Sequence, residues 1–308
     1  MRPNVLQRGL VQGICVLAWL GLTAWCGAAS ACRLYAVIAG NAPDGLLTDR
    51  LIAQPNSFKH LALSDNVDGW GMAYYTGYGE MPTTARGAIR ASNDPGFDAA
   101  VAAMDAVRPR IAVAHIRHCT SGCCDHDGDS IPDPHPFCRE KGGKRWVFAH
   151  NGSVAAALTT ELMGADYVEA NPPHGSGIPE CVEDVVGSEL YFIYLLQKIE
   201  ENGRNVVEGI VAATHELIAL GEEGMNFVLS DGHTLWGFRR PELAKHTLYY
   251  RHDPARGCSE IASQYPGADQ EDWHAVATNE LVVLAPGAAP VMIDVTRYVE
   301  ATPRKEGP

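Results

Sequence analysis

The sequence has little that would suit it to a membrane or to a nucleic acid. After residue 31 it lacks an apolar run of the ~20 residues that a membrane-spanning helix needs. It also lacks a cluster of basic residues interspersed with aromatic ones, and its net charge is −13 at pH 7. These absences exclude a transmembrane helix in the mature protein and argue against a nucleic-acid partner. We interpret the acidic excess as an aid to solubility.

The first 31 residues have the three parts of a secretory signal peptide. Arg2 and Arg8 give a basic start, residues 14–25 are almost wholly apolar, and residues 29–31 (Ala-Ser-Ala) form an A-x-A cleavage site. The apolar run is short for a membrane span, which favours removal over retention as an N-terminal anchor. We therefore predict cleavage directly before Cys32 and export to the periplasm or the extracellular space.

Removal of the 31-residue signal would leave 277 of the 308 residues, a length typical of one large domain. No internal repeat or long linker divides it, so we predict one domain over residues 32–300 and a short tail at 301–308. Seven cysteines remain, and an odd number in an oxidising compartment predicts one free thiol, which we assign to Cys32. The other six could form three disulfides: Cys119, Cys123, Cys124, Cys138, Cys181 and Cys258.

Local patterns predict a mixed fold. Runs rich in β-branched and aromatic residues indicate strands at 33–39, 69–75, 110–116, 146–150, 226–230, 234–238 and 274–284. Asp231-Gly232 is typical of a hairpin turn between two of them. Helical periodicity covers residues 97–106, 188–200 and 205–220. Strands in hairpins with helices in separate blocks predict an α+β fold with antiparallel sheets.

A cysteine at a new N-terminus brings its own base. A thiol attacks well only as the thiolate, so it needs a proton acceptor nearby. The α-amino group has a reference pKa of ~8, belongs to the same residue and exists only after cleavage. Cleavage before Cys32 would therefore activate it. The rival interpretation is lipidation, because lipoprotein signals also end before a cysteine, although they favour a larger aliphatic residue where Ala29 stands.

Six motifs follow the Cys32-Arg33 pair in order along the chain. They read DGWGMAYY (68–75), HIRHCTSG (115–122), FAHNGSV (148–154), SELYFIYLL (188–196), MNFVLSDGHTLWGFR (225–239) and ATNEL (277–281). Together they resemble the class II glutamine amidotransferases, which are N-terminal-nucleophile hydrolases. The resemblance runs from residue 32 to about residue 295. It implies a four-layer αββα sandwich of two antiparallel sheets.

The resemblance implies three catalytic residues. Cys32 would attack the side-chain amide carbon of the substrate, release ammonia and form a thioester that water hydrolyses. The Asn151 side chain and the Gly152 N–H would form the oxyanion hole, in which one donor is commonly worth ~3 kcal/mol of barrier. No cofactor is implied for this chemistry. The domain is also too short to include the synthase domain to which typical family members deliver ammonia.

The resemblance also implies a binding site for a small amide substrate. Arg117 matches the arginine that grips the substrate α-carboxylate, which suits the bidentate geometry of a guanidinium. Gly69 and Trp70 would line the pocket near the nucleophile. The sequence departs from the family at Gly187, where an aspartate usually holds the substrate α-ammonium.

Asp184 or Glu183 in the preceding turn could replace that missing charge. If neither does, an amide whose α-amine is acylated becomes a rival to glutamine. Because the chain is too short to include a synthase domain, a γ-glutamyl compound is a rival as well. An inactive, lipid-anchored binding module on the same fold is a further alternative.

Residues 119–144 look like an insertion between core strands, because they lack periodicity and are dense in Cys, Asp, Pro and His. Carboxylates at alternating positions around a glycine are typical of Ca²⁺ loops, and they predict a structural calcium site formed by Asp125, Asp127, Asp129 and Asp133. A disulfide-stapled polar loop is the first alternative. The second is zinc, with its ligands drawn from Cys123, Cys124, His126, His135 and Cys138.

Overall fold

The computed structural model describes residues 31–118, 135–174, 182–241, 246–268 and 270–298. The strands within these residues are β1 (Arg33–Ala39), β2 (Trp70–Tyr75), β3 (Thr83–Gly87), β4 (Ile111–Ile116), β5 (Phe137–Lys141), β6 (Lys144–Asn151), β7 (Asn226–Ser230), β8 (Leu235–Arg239), β9 (Tyr249–Asp253), β10 (Cys258–Ala262), β11 (Trp273–Ala275), β12 (Glu280–Leu284) and β13 (Val291–Asp294). The helices are α1 (Leu46–Thr48), α2 (Phe58–Leu61), α3 (Pro95–Val107), α4 (Ala156–Met163), α5 (Ala165–Ala170), α6 (Val182–Glu201) and α7 (Val206–Ala219).

Local side-chain chemistry fixes several element boundaries. Helix α3 begins where the Asp94 carboxylate accepts a hydrogen bond from the Gly96 N–H, with a proline at the first helical position. Helix α7 begins in the same way at Asn205, whose side chain accepts from the Glu208 N–H. The predicted hairpin turn between β7 and β8 is confirmed, and Asp231 Oδ1 accepts there from two backbone N–H groups at 3.0 Å.

The strands form two antiparallel sheets. Sheet A has the order β11-β9-β10-β1-β4-β2-β3, and sheet B has the order β13-β12-β8-β7-β6-β5. Strand β1 therefore lies in the middle of sheet A, hydrogen-bonded to β10 on one side and to β4 on the other. This central position gives the residue at the start of β1 a rigid support.

Alternation along β1 shows how the layers pack. Leu34, Ala36 and Ile38 point between the sheets, whereas Tyr35 and Val37 point to the outer face of sheet A. That outer face is covered by α1, α2 and α3, and the outer face of sheet B is covered by α4, α6 and α7. Because both faces of each sheet are buried, the strands read as continuous apolar runs. The predicted α+β, four-layer αββα sandwich is confirmed.

Two segments differ from the prediction. The run 274–284, expected to be one strand, is divided between β11 in sheet A and β12 in sheet B. The chain turns between the two strands at Asn279, whose φ is 63°. The β-rich composition of residues 274–284 therefore gives no sign that the chain passes from one sheet to the other. In the predicted insertion, β5 lies within residues 119–144 and pairs with β6, so the second part of that segment belongs to sheet B.

The prediction of three disulfides is wrong. Cys138 and Cys258 are free thiols, as is Cys32. Cys138 packs between the sheets, while Cys258 packs on the helix-covered face of sheet A, so a layer of strands separates them. The four remaining cysteines could form two disulfides at most; they lie outside the described residues, at Cys119, Cys123, Cys124 and Cys181.

The described helices include none that is long and apolar enough to cross a membrane.

Candidate active site

Cys32 lies at the edge of the space between the two sheets. It directly precedes β1, and the alternation along that strand places it on the same face as Leu34. Its thiol donates to the main-chain carbonyl of His118 at 3.5 Å and accepts from the His118 N–H at 3.3 Å. The residue is half-buried, so the sulfur is held by backbone and still reachable from outside.

Asn151 joins this residue to the other sheet. It ends β6, and its Nδ2 donates to the main-chain carbonyl of Cys32 at 2.7 Å. An asparagine amide has two N–H groups, so one of them can hold Cys32 while the other serves a ligand. The two residues are 119 positions apart in the chain, and the packing of the sheets brings them together.

Gly152 follows in a conformation that only glycine supports here. Its φ is 150°, and a Cβ at this position would lie 2.2 Å from the Gly224 carbonyl oxygen. Main-chain atoms on both sides leave no flexible side chain that could move away. The close approach of these two segments therefore fixes where the Gly152 N–H lies.

His150 supports the same loop from inside the protein. Its Nε2 donates to the Gly224 carbonyl at 2.6 Å, so its Nδ1 is the acceptor for the Ser188 hydroxyl at 2.9 Å. Burial lowers the pKa of His150 to about 3, which keeps the ring neutral near pH 7. The sequence alone assigns no role to His150, because its hydrogen-bond partners are residues distant in the chain.

Comparison with known proteins decides the family. The sequence model of the family described as glutamine amidotransferases class-II matches residues 53–262, which is more than half of the chain. The chain belongs to the class II glutamine amidotransferases. The matched region begins after Cys32, so the role of that cysteine rests on the motifs and on the geometry above.

Curated relatives agree with this family. YafJ of Escherichia coli, provisionally named a glutamine amidotransferase, is 29% identical over 176 residues, which are 54% of this chain and 57% of YafJ. A similarly named protein of Haemophilus influenzae is 29% identical over 194 residues, or 60% of this chain and 56% of that protein. The chain spans about half of the length of the curated relatives that it matches.

Solved structures share the fold. A glutamine aminotransferase class-II domain protein from Silicibacter pomeroyi is 20% identical, with a TM-score of 0.52 over 85% of this chain and 98% of that one. The glutamine phosphoribosylpyrophosphate amidotransferase of B. subtilis is 12% identical, with a TM-score of 0.55 over 87% of this chain and 50% of that one. At these identities the likeness supports the fold alone.

Two of the residues that the family assigns to substrate lie close together. Arg117 directly follows β4 and is buried, and its N–H donates to the Gly69 carbonyl at 3.0 Å. Gly69 has a φ of 103°, a left-handed conformation that suits glycine, and it directly precedes β2. Both therefore lie at the same end of sheet A as Cys32.

The Trp70 side chain does not lie where the family pattern suggests. Its indole Nε1 donates to Asp94 Oδ2 at 2.8 Å, and its ring packs edge-on against Phe97 with centroids 5.4 Å apart. These contacts place the indole under α3, on the outer face of sheet A, whereas Cys32 falls on the inner face. The indole therefore points away from Cys32, and only the main chain of Trp70 is placed to line a pocket there.

Gly187, where the family usually has an aspartate, lies against the loop that follows Gly152. It is buried in α6, and a Cβ on it would be 3.0 Å from the Val154 carbonyl oxygen, two residues after Gly152. Asp184 belongs to the first turn of the same helix, three positions earlier in the chain. Position 187 thus adjoins the site.

The predicted calcium ligands Asp125, Asp127, Asp129 and Asp133 lie outside the described residues, as do three of the five zinc candidates. The calcium site stays a prediction. Within the described ranges no group of three His, Cys, Asp or Glu side chains could hold a metal ion. The other two zinc candidates lie in the core instead: His135 packs against His115 with ring centroids 4.4 Å apart, and Cys138 is a free thiol between the sheets.

Proposed function

We propose that this protein is an exported amide hydrolase in which the mature N-terminal Cys32 is the nucleophile. The observation that supports it best is the contact at 2.7 Å between Asn151 Nδ2 and the Cys32 carbonyl, which brings the implied oxyanion hole to the implied nucleophile from opposite sheets. A half-exposed thiol beside a glycine-dependent turn is an arrangement that acyl transfer requires.

The proposed reaction begins when the Cys32 thiol gives its proton to the α-amino group and its sulfur bonds to the carbonyl carbon of the substrate amide. The carbonyl electron pair moves onto oxygen, where Asn151 and the Gly152 N–H stabilise the negative charge. When the oxyanion collapses, the C–N bond breaks and the ammonium group returns its proton to the leaving nitrogen as ammonia. Water then hydrolyses the thioester to a carboxylic acid and restores the thiol.

The substrate class that we propose is glutamine or a glutamine derivative with a free α-carboxylate for Arg117. Gly187 leaves the family's ammonium site without its usual charge. A substrate with an acylated α-amine is therefore acceptable, because a neutral amide leaves no buried acid unpaired. This observation favours an N-acyl amide hydrolase as the second candidate.

Three forms of the protein test this proposal: the chain beginning at Cys32, the same chain with an initiator methionine retained, and Cys32→Ala. We expect the first to release ammonia from glutamine or N-acylated glutamine. The second should lose about 10²–10⁴-fold in kcat, because its nitrogen is an amide and cannot accept the thiol proton. Full activity of the methionine-retaining form would refute the terminal-base mechanism.

The intact mass of the exported protein tests the rival class. A free Cys32 amine is the expected result. A diacylglyceryl thioether on the Cys32 sulfur would instead favour the lipid-anchored binding module, since it blocks the nucleophile.

A further inference from the structure

The peptide bond before Cys32 is held by two buried side chains. The Ala31 carbonyl oxygen accepts from Arg33 Nη1 at 2.7 Å and from Asn66 Nδ2 at 2.8 Å. Arg33 is 6% exposed and Asn66 is fully buried. In a chain cleaved before Cys32 this carbonyl is absent, so both donors lose their acceptor, and the new α-amino group stands beside them. The inference below rests on the proposed cleavage.

Asn66 has an unused acceptor at this point. Its Oδ1 is buried and has no hydrogen-bond partner within the described part of the chain. An unsatisfied buried polar atom costs about 1–3 kcal/mol, so a partner is expected in the working form of the protein. Rotation of the amide head by half a turn exchanges Oδ1 and Nδ2. An acceptor would then point to the place that the Ala31 carbonyl occupies in the uncleaved chain.

Arg33 cannot exchange its role, because a guanidinium has no acceptor and keeps its charge. Its Nη1 also donates to the Cys32 carbonyl at 3.1 Å, and its Nε donates to Gln264 Oε1 at 2.8 Å. These bonds hold the charge next to the Cys32 main chain before and after cleavage. A fixed positive charge beside an amine disfavours its protonation.

Other charged groups around the amine come from the neighbouring segments. Asp65 acts electrostatically on Arg33, and its main-chain carbonyl bonds to His118 Nδ1 at 2.6 Å. Arg50 lines the same small cavity as Arg33, but a buried Glu260 pairs with it at 2.8 Å. Asp68 and Arg117 are further charged residues on adjoining segments, and their backbones are hydrogen-bonded to each other.

We propose that Arg33 and Asn66 bind the α-amino group of mature Cys32, with Asn66 accepting a hydrogen bond from it and the charge of Arg33 keeping it in the neutral, proton-accepting form. In this proposal both residues act on the amine, and neither contacts the substrate. Both are positioning residues for the base. An isolated α-amino group has a reference pKa of ~8 and is mostly protonated at pH 7, so the Arg33 charge supplies an activation that the N-terminus lacks by itself.

The first test measures kcat/KM for ammonia release from pH 5 to pH 10. Arg33→Gln removes the charge, and Asn66→Asp keeps an acceptor while adding a negative charge. Each should move the acid limb upward by about one pH unit, a ~tenfold loss on that limb, with a much smaller loss at pH 9. Arg33→Lys restores the charge and should return the limb toward the wild-type position. Arg256→Gln, on an exposed turn, controls for a lost charge far from the site.

The second test needs no turnover, so it separates this proposal from the proposed function. In a Cys32→Ser background, the rate at which acetic anhydride acylates the N-terminal amine is followed against pH by mass spectrometry of the first peptide. Adding Arg33→Gln should raise the midpoint by about one unit. If the midpoint shifts while the wild-type chain beginning at Cys32 hydrolyses no amide, the amine site is supported and the hydrolase is refuted. Unmoved midpoints for both Arg33→Gln and Asn66→Asp, in variants with native melting temperatures, would overturn the proposal.

Discussion

The two halves of the candidate site are stabilised in different ways. On sheet A, Cys32 is positioned by hydrogen bonds, including two to the His118 backbone, and its surroundings are polar. On sheet B, the turn after Asn151 is positioned by contact between main chains, with Gly152 and Gly224 too close for any side chain between them. The first half can adjust by small rotations, whereas the second cannot. Substitutions of similar size should therefore cost more on sheet B.

The largest effect should come from a substitution in the turn after Asn151 on sheet B, which is the rigid half of the site. In Gly152→Ala the new Cβ would meet the Gly224 carbonyl at 2.2 Å, so the loop must move and carry the Gly152 N–H out of place. We expect kcat to fall about 10²–10³-fold, as for loss of one oxyanion donor. Ammonia release from the best substrate measures it.

The control for that experiment is Gly164→Ala. Gly164 also has a positive φ, of 78°, but no atom lies within 4 Å of the added Cβ. The Gly164→Ala variant therefore has the conformational strain without the collision, and it should lower stability with little effect on kcat. Equal losses of kcat in the two variants would show that strain at a glycine, and not the Gly152–Gly224 contact, limits the site.

The contrast between the two halves also explains what the sequence could reveal. The bounds of β1 and β7 follow from their apolar composition and agree with prediction, because both lie inside a sheet that is buried on both faces. Strand β10 escaped prediction because Glu260 interrupts its pattern. That carboxylate is buried because residues distant in the chain pair with it: Arg50 is 210 residues away, and the Tyr35 hydroxyl, 225 residues away, donates to it at 2.8 Å. No local rule anticipates such a contact.

Within the site, the chemistry of Cys32, Asn151 and Arg117 could be inferred from motifs, and their neighbourhood could not. The approach of Gly152 to Gly224 joins segments 72 residues apart, and the bond from His150 to the same carbonyl joins residues 74 apart. The outward direction of the Trp70 indole depends on the pairing of β2 with its neighbours. The motifs predict which positions adjoin the substrate, whereas the residues that hold those positions in place could be identified only from the fold.

The second prediction concerns charge beside the rigid half. Gly187→Asp should shift preference toward free glutamine over N-acylated glutamine by about tenfold to a hundredfold in kcat/KM. A Cβ at 187 lies 3.0 Å from the Val154 carbonyl, so the substitution also crowds the loop. Gly187→Asn brings the same crowding without the charge and should leave the preference unchanged. The same shift in both variants would mean that shape and not charge sets the selectivity.

The third prediction concerns how the free energy of unfolding depends on pH through His150, which supports the rigid half of the site. His150 has a folded-state pKa of about 3, below its unfolded value of ~6.5, so the unfolded chain binds a proton that the folded one excludes. Its contribution to stability is complete above pH 6.5 and is lost as the pH falls from 6.5 toward 3. Between pH 7.5 and pH 5 the free energy of unfolding should decrease by ~2 kcal/mol from this residue.

Denaturant unfolding at those two pH values measures this decrease. His150→Gln supplies the comparison, since an amide can bond to Gly224 and Ser188 but does not titrate in this range. The variant should be less sensitive to acid by the same ~2 kcal/mol, even if it is less stable at pH 7.5. Parallel decreases in the two proteins would show that other groups cause the acid sensitivity.

The smallest expected effect is a difference in thiol reactivity between Cys32, in the half of the site on sheet A, and the two cysteines of the core. Cys32 is half-buried at the edge of the sheets, whereas burial raises the pKa of both Cys138 and Cys258 to about 11. At pH 7 only ~10⁻⁴ of each core thiol is thiolate, so a thiol reagent should label Cys32 rapidly and the other two slowly.

Native protein should show one fast thiol, and denatured, unreduced protein should show at least three. Cys32→Ala should remove the fast phase alone. A denatured count of one would reinstate the three disulfides, and a fast thiol mapped to Cys138 or Cys258 would mean that the core beside that residue opens as readily as the site itself.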